Sequence, residues 1–135
     1  MNWLDEVTLS VFNDAWMTYD NNFNTTRVKF DEFYAIARKG EYIMMSIRQL
    51  TSLSPENMSV DRLNASTPAE AYPPGDRPRG DADLKSVRYH MKHAAAPVVF
   101  VKIGKRMILL DGMHRLVAAS ISGSKVCMCI IKLKK

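Results

Sequence analysis

One stretch of this 135-residue chain carries its strongest structural and chemical signal: Leu109-Leu110-Asp111-Gly112-Met113-His114-Arg115-Leu116-Val117-Ala118-Ala119. The apolar run from Met107 to Leu110 predicts a buried strand that ends at Asp111-Gly112. An alanine-rich helix is predicted to begin directly after that turn. Because Gly112 has no Cβ, the backbone there can turn tightly and approach a ligand closely.

The beginning of this predicted helix is suited to binding an anion. Its first backbone N–H groups have no partner within the helix, and the helix dipole adds partial positive charge. His114 and Arg115 bring side-chain donors, and an arginine can hold a phosphate with two hydrogen bonds. We therefore predict a phosphate site at Asp111, Gly112, Met113, His114 and Arg115. A structural alternative stays open, with Asp111 as a helix cap and the basic pair in solvent.

The order of elements around this motif resembles a known superfamily. A helix at 83–94, a strand at 97–103, a turn at 104–106 and a strand at 107–110 precede the motif, and a closing strand at 125–133 follows the second helix. This order is similar to the nucleotide-binding half of the ParB N-terminal and sulfiredoxin superfamily, whose members share a Gly-x-x-Arg turn. The Asp-Gly-x-His-Arg form looks closest to ParB-like proteins that include the free serine kinases.

The resemblance implies an α+β fold with a small mixed sheet and flanking helices, preceded by an N-terminal helical extension. We divide the chain accordingly into an extension at 1–41 and a ParB/sulfiredoxin-like core at 42–135. A Pro- and Gly-rich segment at about 64–83 is predicted to be a flexible loop within that core. Arg77 and Arg79 in this loop could fold over a bound phosphate or stay in solvent.

Departures from the superfamily pattern exclude some activities. Sulfiredoxins carry their catalytic cysteine inside the turn, where this chain has Met113, and a thioether cannot perform that nucleophilic attack. Chromosome-partition ParB proteins continue into a helix-turn-helix domain, whereas this sequence ends at Lys135. We therefore expect neither sulfiredoxin activity nor centromere binding. The acidic residues also lack the clustering of a two-metal nuclease.

A candidate catalytic base lies upstream of the motif. In the serine kinase-like members, a glutamate near a Leu-x-Pro-x element activates the substrate hydroxyl, and Glu56 after Leu53-Ser54-Pro55 resembles it. A carboxylate near a hydroxyl and a clamped phosphate would suffice for phosphoryl transfer. The same residues also suit an ordinary turn or a helix beginning at Pro55.

The first forty residues predict two amphipathic helices. Apolar residues at helical spacing place one helix at about 2–19, and a turn cluster follows at 20–24. A second helix is predicted at 28–39, with Gly40 as its C-terminal stop. We expect the aromatic side chains of both helices to pack on the sheet. The alternative is a groove for a protein partner or a homodimer contact.

The charge of the chain is uneven. Residues 1–41 contain four Lys or Arg against seven Asp or Glu, whereas residues 42–135 contain fifteen against seven. The basic core could attract a nucleotide or a nucleic-acid backbone. The candidate contacts are Lys102, Lys105, Arg106, Lys132, Lys134 and Lys135. No apolar run predicts a membrane span and no secretory signal is apparent, so we expect a cytoplasmic protein, or one of the host cytoplasm if a virus or mobile element encodes it.

The cysteines and histidines give no metal-site prediction. Cys127 and Cys129 stand two apart in a predicted strand, a spacing at which a disulfide is strained. We interpret both as small buried residues on the core face of a strand rather than as half of a zinc site. His90 and His93 could share a helix face, but no paired carboxylates lie nearby in sequence.

The predicted function is binding of a nucleotide or another phosphorylated ligand at the helix N-terminus. ATP, ADP or CTP with Mg²⁺ is the expected cofactor, and any catalysis would be phosphoryl transfer or nucleotide hydrolysis. Glu56 and His114 are then the candidate catalytic residues. The alternatives are a non-catalytic ParB-like module that binds nucleic acid or protein, and a ParB-like nuclease.

Overall fold

The computed structural model describes residues 6–73, 80–93 and 97–133. These residues form a mixed α+β arrangement with one four-stranded sheet, as the sequence predicts at this level of detail. In chain order the elements are α1 (Glu6–Asn22), α2 (Phe30–Ala37), β1 (Glu41–Met45), α3 (Ile47–Ser52), α4 (Val60–Leu63), α5 (Pro68–Ala71), α6 (Gly80–Lys92), β2 (Val98–Ile103), β3 (Arg106–Asp111), α7 (Met113–Ser122) and β4 (Val126–Leu133).

The sheet is open and mixed, with the strand order β1-β4-β2-β3. The central pair, β2 and β4, is parallel, and Val98 lies beside Met128 in its register. β1 joins β4 in antiparallel fashion, and β3 pairs with β2 as a hairpin. Gly104, at the hairpin turn, has a φ of +61°, a conformation that favours glycine.

Alternate residues of the strands face two hydrophobic cores, since side chains along a strand point to opposite faces. Val99 and Val101 of β2 belong to the core that α1 and α2 cover. Val98 and Phe100 belong to the core on the other face, with Leu116 of α7 and side chains from α3 to α6. β2 is consequently buried on both faces, which places the neighbouring end of β3 and the beginning of α7 on a rigid support.

Three aromatic side chains of the N-terminal helices are buried against the sheet, which confirms the packing prediction for them. Phe12 and Tyr19 of α1 and Phe33 of α2 are buried in the same hydrophobic core as strand residues. The Tyr19 and Phe33 rings stack with their centroids 5.2 Å apart. α1 and α2 therefore share one hydrophobic core with the sheet. The division of the chain at residue 41 into an extension and a core stays a prediction.

The outer surface of these helices still exposes apolar side chains, namely Leu9, Met17 and Phe30. A homodimer or protein contact through the helices stays a prediction. Among helices in the described part of the chain, none has the length and apolar character needed to cross a membrane.

The predicted end of the first helix was wrong by one turn. Residues 20–22 continue α1 instead of beginning a turn. Polar side chains support this extension, because the Asn22 amide donates to the carbonyl oxygen of Thr18 and the Asn24 amide donates to Asp20. The second helix, α2, is shorter than the predicted 28–39 and begins at Phe30.

The prediction that residues 64–83 form a loop was wrong in part. It contains α5, where the Thr67 side chain accepts a hydrogen bond from the Glu70 N–H, and it contains the beginning of α6. α6 therefore begins at Gly80, before the predicted 83–94 helix. Arg77 and Arg79, the candidate lid residues, lie outside the described residues, as do Lys134 and Lys135.

Both cysteines are thiols without a disulfide. Cys129 is buried in the core beneath α1 and α2, and burial raises its pKa to about 12. Cys127, half-buried, has a pKa that burial also raises. The prediction of a buried core residue is therefore confirmed for Cys129 and wrong for Cys127, which is only half-buried. A raised pKa disfavours the thiolate in both.

Candidate functional site

The predicted strand-turn-helix motif is present with its glycine at the junction. β3 ends at Asp111, Gly112 is the N-cap with a φ of +119°, and α7 begins at Met113. A Cβ on Gly112 would lie 2.8 Å from Cγ1 of Val98. The glycine is therefore required by its backbone conformation and by a close approach to β2, a neighbour that the sequence had not indicated.

The beginning of α7 opens into a cavity of about 520 Å³. All five residues of the predicted site line this cavity, from Asp111 to Arg115. Gly112 provides no side-chain cap, and the first intrahelical bond runs from the Leu116 N–H to the Gly112 carbonyl oxygen. The N–H groups before Leu116 make no bond of that kind, so this end of the helix presents positive potential to the cavity.

Three further polar residues line the cavity, and the sequence had not indicated them. They come from separate elements: Asp14 from α1, Asn57 from the segment after α3, and His90 from α6. The Asn57 amide donates to the carbonyl oxygen of Leu109 at 2.8 Å. Their sequence separation from the motif leaves no local pattern by which they could have been found.

Arg115 is mostly occupied inside the protein. Its side chain is 7% exposed and donates to the Pro97 carbonyl oxygen at 3.0 Å and to the Asp111 carboxylate. Burial raises the pKa of Asp111, and the charge of Arg115 partly offsets that increase. The sequence predicts that Arg115 grips a phosphate with two donors, but the structure directs one donor to β3 and another to the residue before β2. Arg115 therefore stabilises the strand-turn-helix motif through contacts inside the protein.

His114 is held by partners on two other elements. Its Nε2 lies 2.9 Å from Oδ1 of Asp83, a buried residue of α6. The ring of Tyr72 meets the imidazole edge-on, with the centroids 5.2 Å apart. With 30% of its side chain exposed, His114 places a positioned imidazole on the cavity wall.

His90 contributes a neutral imidazole to the same wall. Its Nδ1 is buried and has no hydrogen-bond partner among the described residues. Burial lowers the pKa of His90, and the charges of Arg115, His114 and His93 lower it further. His90 therefore supplies shape and a polar atom to the cavity but no positive charge at neutral pH.

The structure does not bring Glu56 into the cavity. Its carboxylate forms a bidentate ion pair with Arg106, with both distances at 2.8 Å, on the exposed side of the hairpin. Its backbone pairs with the outer edge of β3, bonding to Met107 and Leu109. Of the two structural alternatives for this segment, a helix beginning at Pro55 is not formed, because Glu56 makes a bridge to the sheet instead.

The Arg106 bond also lowers the pKa of Glu56, which makes its carboxylate a weaker base. We expect Glu56→Gln to leave the denaturant midpoint nearly unchanged, because an exposed ion pair contributes little to stability. Urea unfolding followed by circular dichroism measures this. A large loss of stability would contradict the surface assignment of this pair.

The predicted basic surface is partly neutralised within the chain. Lys132 pairs with Glu41 at 2.6 Å, and Arg106 pairs with Glu56. Lys102 and Lys105 are exposed. In residues 6–73, 80–93 and 97–133, no group of three or more His, Cys, Asp or Glu side chains could hold a metal ion.

Comparisons with family models, curated proteins and solved structures find no match. The resemblance to the ParB and sulfiredoxin superfamily therefore rests on the motif and on the order of elements alone. The geometry described above carries the functional argument.

Proposed function

We propose that this protein binds a phosphorylated ligand, a nucleotide in the first instance, at the beginning of α7. The observation that carries the proposal is the helix N-terminus without a side-chain cap, opening into a cavity of about 520 Å³ beside His114. Binding pockets for small ligands commonly enclose about 300–1,000 Å³. Backbone N–H groups and an imidazole are suitable donors for phosphate oxygens.

The order of the described elements supports the proposed ParB/sulfiredoxin type of fold. α6, β2, the hairpin, β3, Gly112, α7 and β4 follow one another as the resemblance implies. The parallel pairing of β2 with β4 puts the beginning of α7 beside the sheet. The superfamily assignment is part of the proposal.

Mg²⁺ enters this proposal with the nucleotide. In proteins, Mg²⁺ usually keeps several waters and needs only one or two carboxylates besides the phosphates of the substrate. Asp14 is an exposed carboxylate in the cavity lining and is suited to such a contact. When bound, the ion would neutralise phosphate charge, and the residues of α7 would orient the ligand.

We expect His114→Ala to weaken nucleotide binding about tenfold or more, since hydrogen bonds to charged groups contribute about 1.5–3 kcal/mol. Calorimetric titration with ATP, ADP and CTP, each with Mg²⁺, measures this. His93→Ala is the matched control, because this exposed histidine stacks on Tyr89 and does not line the cavity. Equal affinities of the His114→Ala and wild-type proteins would contradict the site.

Absence of binding to all three nucleotides would overturn the nucleotide proposal. Salt-dependent binding of nucleic acid without nucleotide binding would replace it with the non-catalytic alternative. Metal-dependent nicking of plasmid DNA would replace it with the nuclease.

Catalysis is the second part of the proposal, with phosphoryl transfer or hydrolysis as the reaction. For Glu56 to act as the base, its pair with Arg106 has to open and the carboxylate has to reach the cavity. We expect Glu56→Gln to remove nucleotide turnover while leaving nucleotide affinity unchanged, which a phosphate-release assay beside calorimetry would detect. Turnover that survives in Glu56→Gln would exclude Glu56 as the base.

A further inference from the structure

Asp83 is a buried acidic residue that the sequence had not connected with the motif. Only 2% of the residue is exposed, and its Oδ1 lies 2.9 Å from Nε2 of His114 across the contact between α6 and α7. An ionised carboxylate is costly to bury unless a charged or strongly donating partner compensates it. This geometry favours an imidazolium at His114, because a positive charge at hydrogen-bond distance stabilises the carboxylate.

The other charged groups around His114 belong to several elements. Asp111 at the end of β3 engages Arg115 of α7, so these two charges largely offset each other. Burial lowers the pKa of His90 of α6, so it is neutral at neutral pH, and Asp14 of α1 also lines the cavity. Asp83 lies at hydrogen-bond distance from His114, so its negative charge acts directly on the imidazole.

The imidazole is also fixed in orientation. Tyr72 is buried after α5 and meets the ring edge-on. Arg62 of α4 lies over the Tyr72 ring, 4.3 Å from its centroid, and donates to the Ala71 carbonyl oxygen. With Asp83 on one side and Tyr72 on another, His114 has little freedom to turn away from the cavity.

We propose that Asp83 is a positioning residue that keeps His114 protonated and directed at the cavity at neutral pH. Asp83 stabilises the imidazolium, and the imidazolium adds a positive charge beside the N–H groups of α7. Binding of a phosphate group then requires the proton on His114, so affinity falls as the pH rises through the His114 titration. The ligand part of this inference rests on the proposed function, whereas the protonation part does not.

The protonation part is tested by NMR titration of the histidine ring signals in the ligand-free protein, with His114→Gln used to assign the His114 signal. We expect a His114 midpoint above the ordinary value of about 6.5. Asp83→Asn should move it down by about one pH unit or more, because the amide keeps the hydrogen bond but removes the charge. Asp61→Asn is the matched control, since it removes an exposed carboxylate from α4.

A wild-type midpoint at or below about 6.5 would overturn the inference, even if Asp83→Asn proved unable to fold. An equal shift in Asp61→Asn would also overturn it, because the effect would then be one of overall charge. If Asp83 had only a structural role, Asp83→Asn would change the unfolding temperature and leave the His114 titration midpoint unchanged.

The ligand part is tested with Mg-ATP by calorimetry. At about pH 7.5 we expect Asp83→Asn to bind several-fold more weakly than wild type, and at about pH 5.5 the two proteins should bind alike, since both then carry the imidazolium. A shifted His114 midpoint without any ATP binding would support Asp83 as the positioning residue and reject the nucleotide site. ATP binding with identical pH profiles in both proteins would reject the role of Asp83 and leave the nucleotide site standing.

Discussion

Arg115→Ala is expected to lower the free energy of unfolding by about 3–5 kcal/mol, the cost of leaving one partner of a buried ion pair without compensation. The Asp111 carboxylate would lose its charged partner, and the Pro97 carbonyl oxygen would lose a donor. Urea unfolding monitored by circular dichroism measures the change. Arg106→Ala is the matched control, because it breaks an arginine–carboxylate pair that lies exposed on the hairpin.

The loss should depend on pH in a defined direction. Burial already raises the pKa of Asp111, and removal of Arg115 would raise it further. A carboxyl whose pKa is higher in the folded than in the unfolded state holds more protons when folded, so stability falls as the pH rises through that interval. The Arg115→Ala protein should therefore lose more stability at about pH 8 than at about pH 5. Adding Asp111→Asn should restore part of the loss, and a loss no greater than that of Arg106→Ala would contradict the buried pair.

Gly112→Ala is expected to cost about 2–6 kcal/mol, from two separate sources. A positive φ in a residue other than glycine costs about 1–3 kcal/mol. Forcing a methyl group into a packed site costs about as much again, and here the new Cβ would lie 2.8 Å from Val98. The measurement is again the denaturant midpoint, together with the slope that reports two-state unfolding.

Gly123→Ala is the control that separates these sources. Gly123 ends α7 with a φ of +68°, and a methyl group on its Cα would have no neighbour within 4 Å, so only the backbone cost of about 1–2 kcal/mol applies. An equal loss at both positions would show that contact with Val98 contributes nothing. If the contact is real, Val98→Ala should cost less stability in the Gly112→Ala background than in the wild type, because there it also relieves the close contact.

Local signals predicted the part of the fold that holds the site. The apolar run before Asp111, the glycine at 112 and the alanine-rich stretch after it act within a few residues, so the strand, turn and helix could be recognised without tertiary information. Two further local signals were missed. Ser46 and Gln49 form a capping box at the beginning of α3, and Asp111 stands four residues before Arg115, a spacing that permits an ion pair.

The rest of the site depends on contacts between distant parts of the chain. Asp83 and His114 are 31 residues apart and meet only because α6 packs beside α7. Glu56 was placed by resemblance, but its backbone pairs with β3 and its carboxylate turns to Arg106. The helical state of residues 20–22 likewise comes from side-chain bonds that outweigh the turn preference of Asp and Asn.

The strand order has a consequence for how the chain can assemble during synthesis. β4 follows the other three described strands in sequence, yet it lies between β1 and β2 in the sheet. Until Val126–Leu133 has left the ribosome, β1 and the β2-β3 hairpin have no strand between them, and α1 and α2 lack the β4 side chains of their core. Pairing of Glu41 with Ile130 joins residues far apart in sequence, and such non-local pairing slows folding. We therefore expect the apolar faces of α1 and α2 to stay exposed in the nascent chain until β4 is in place.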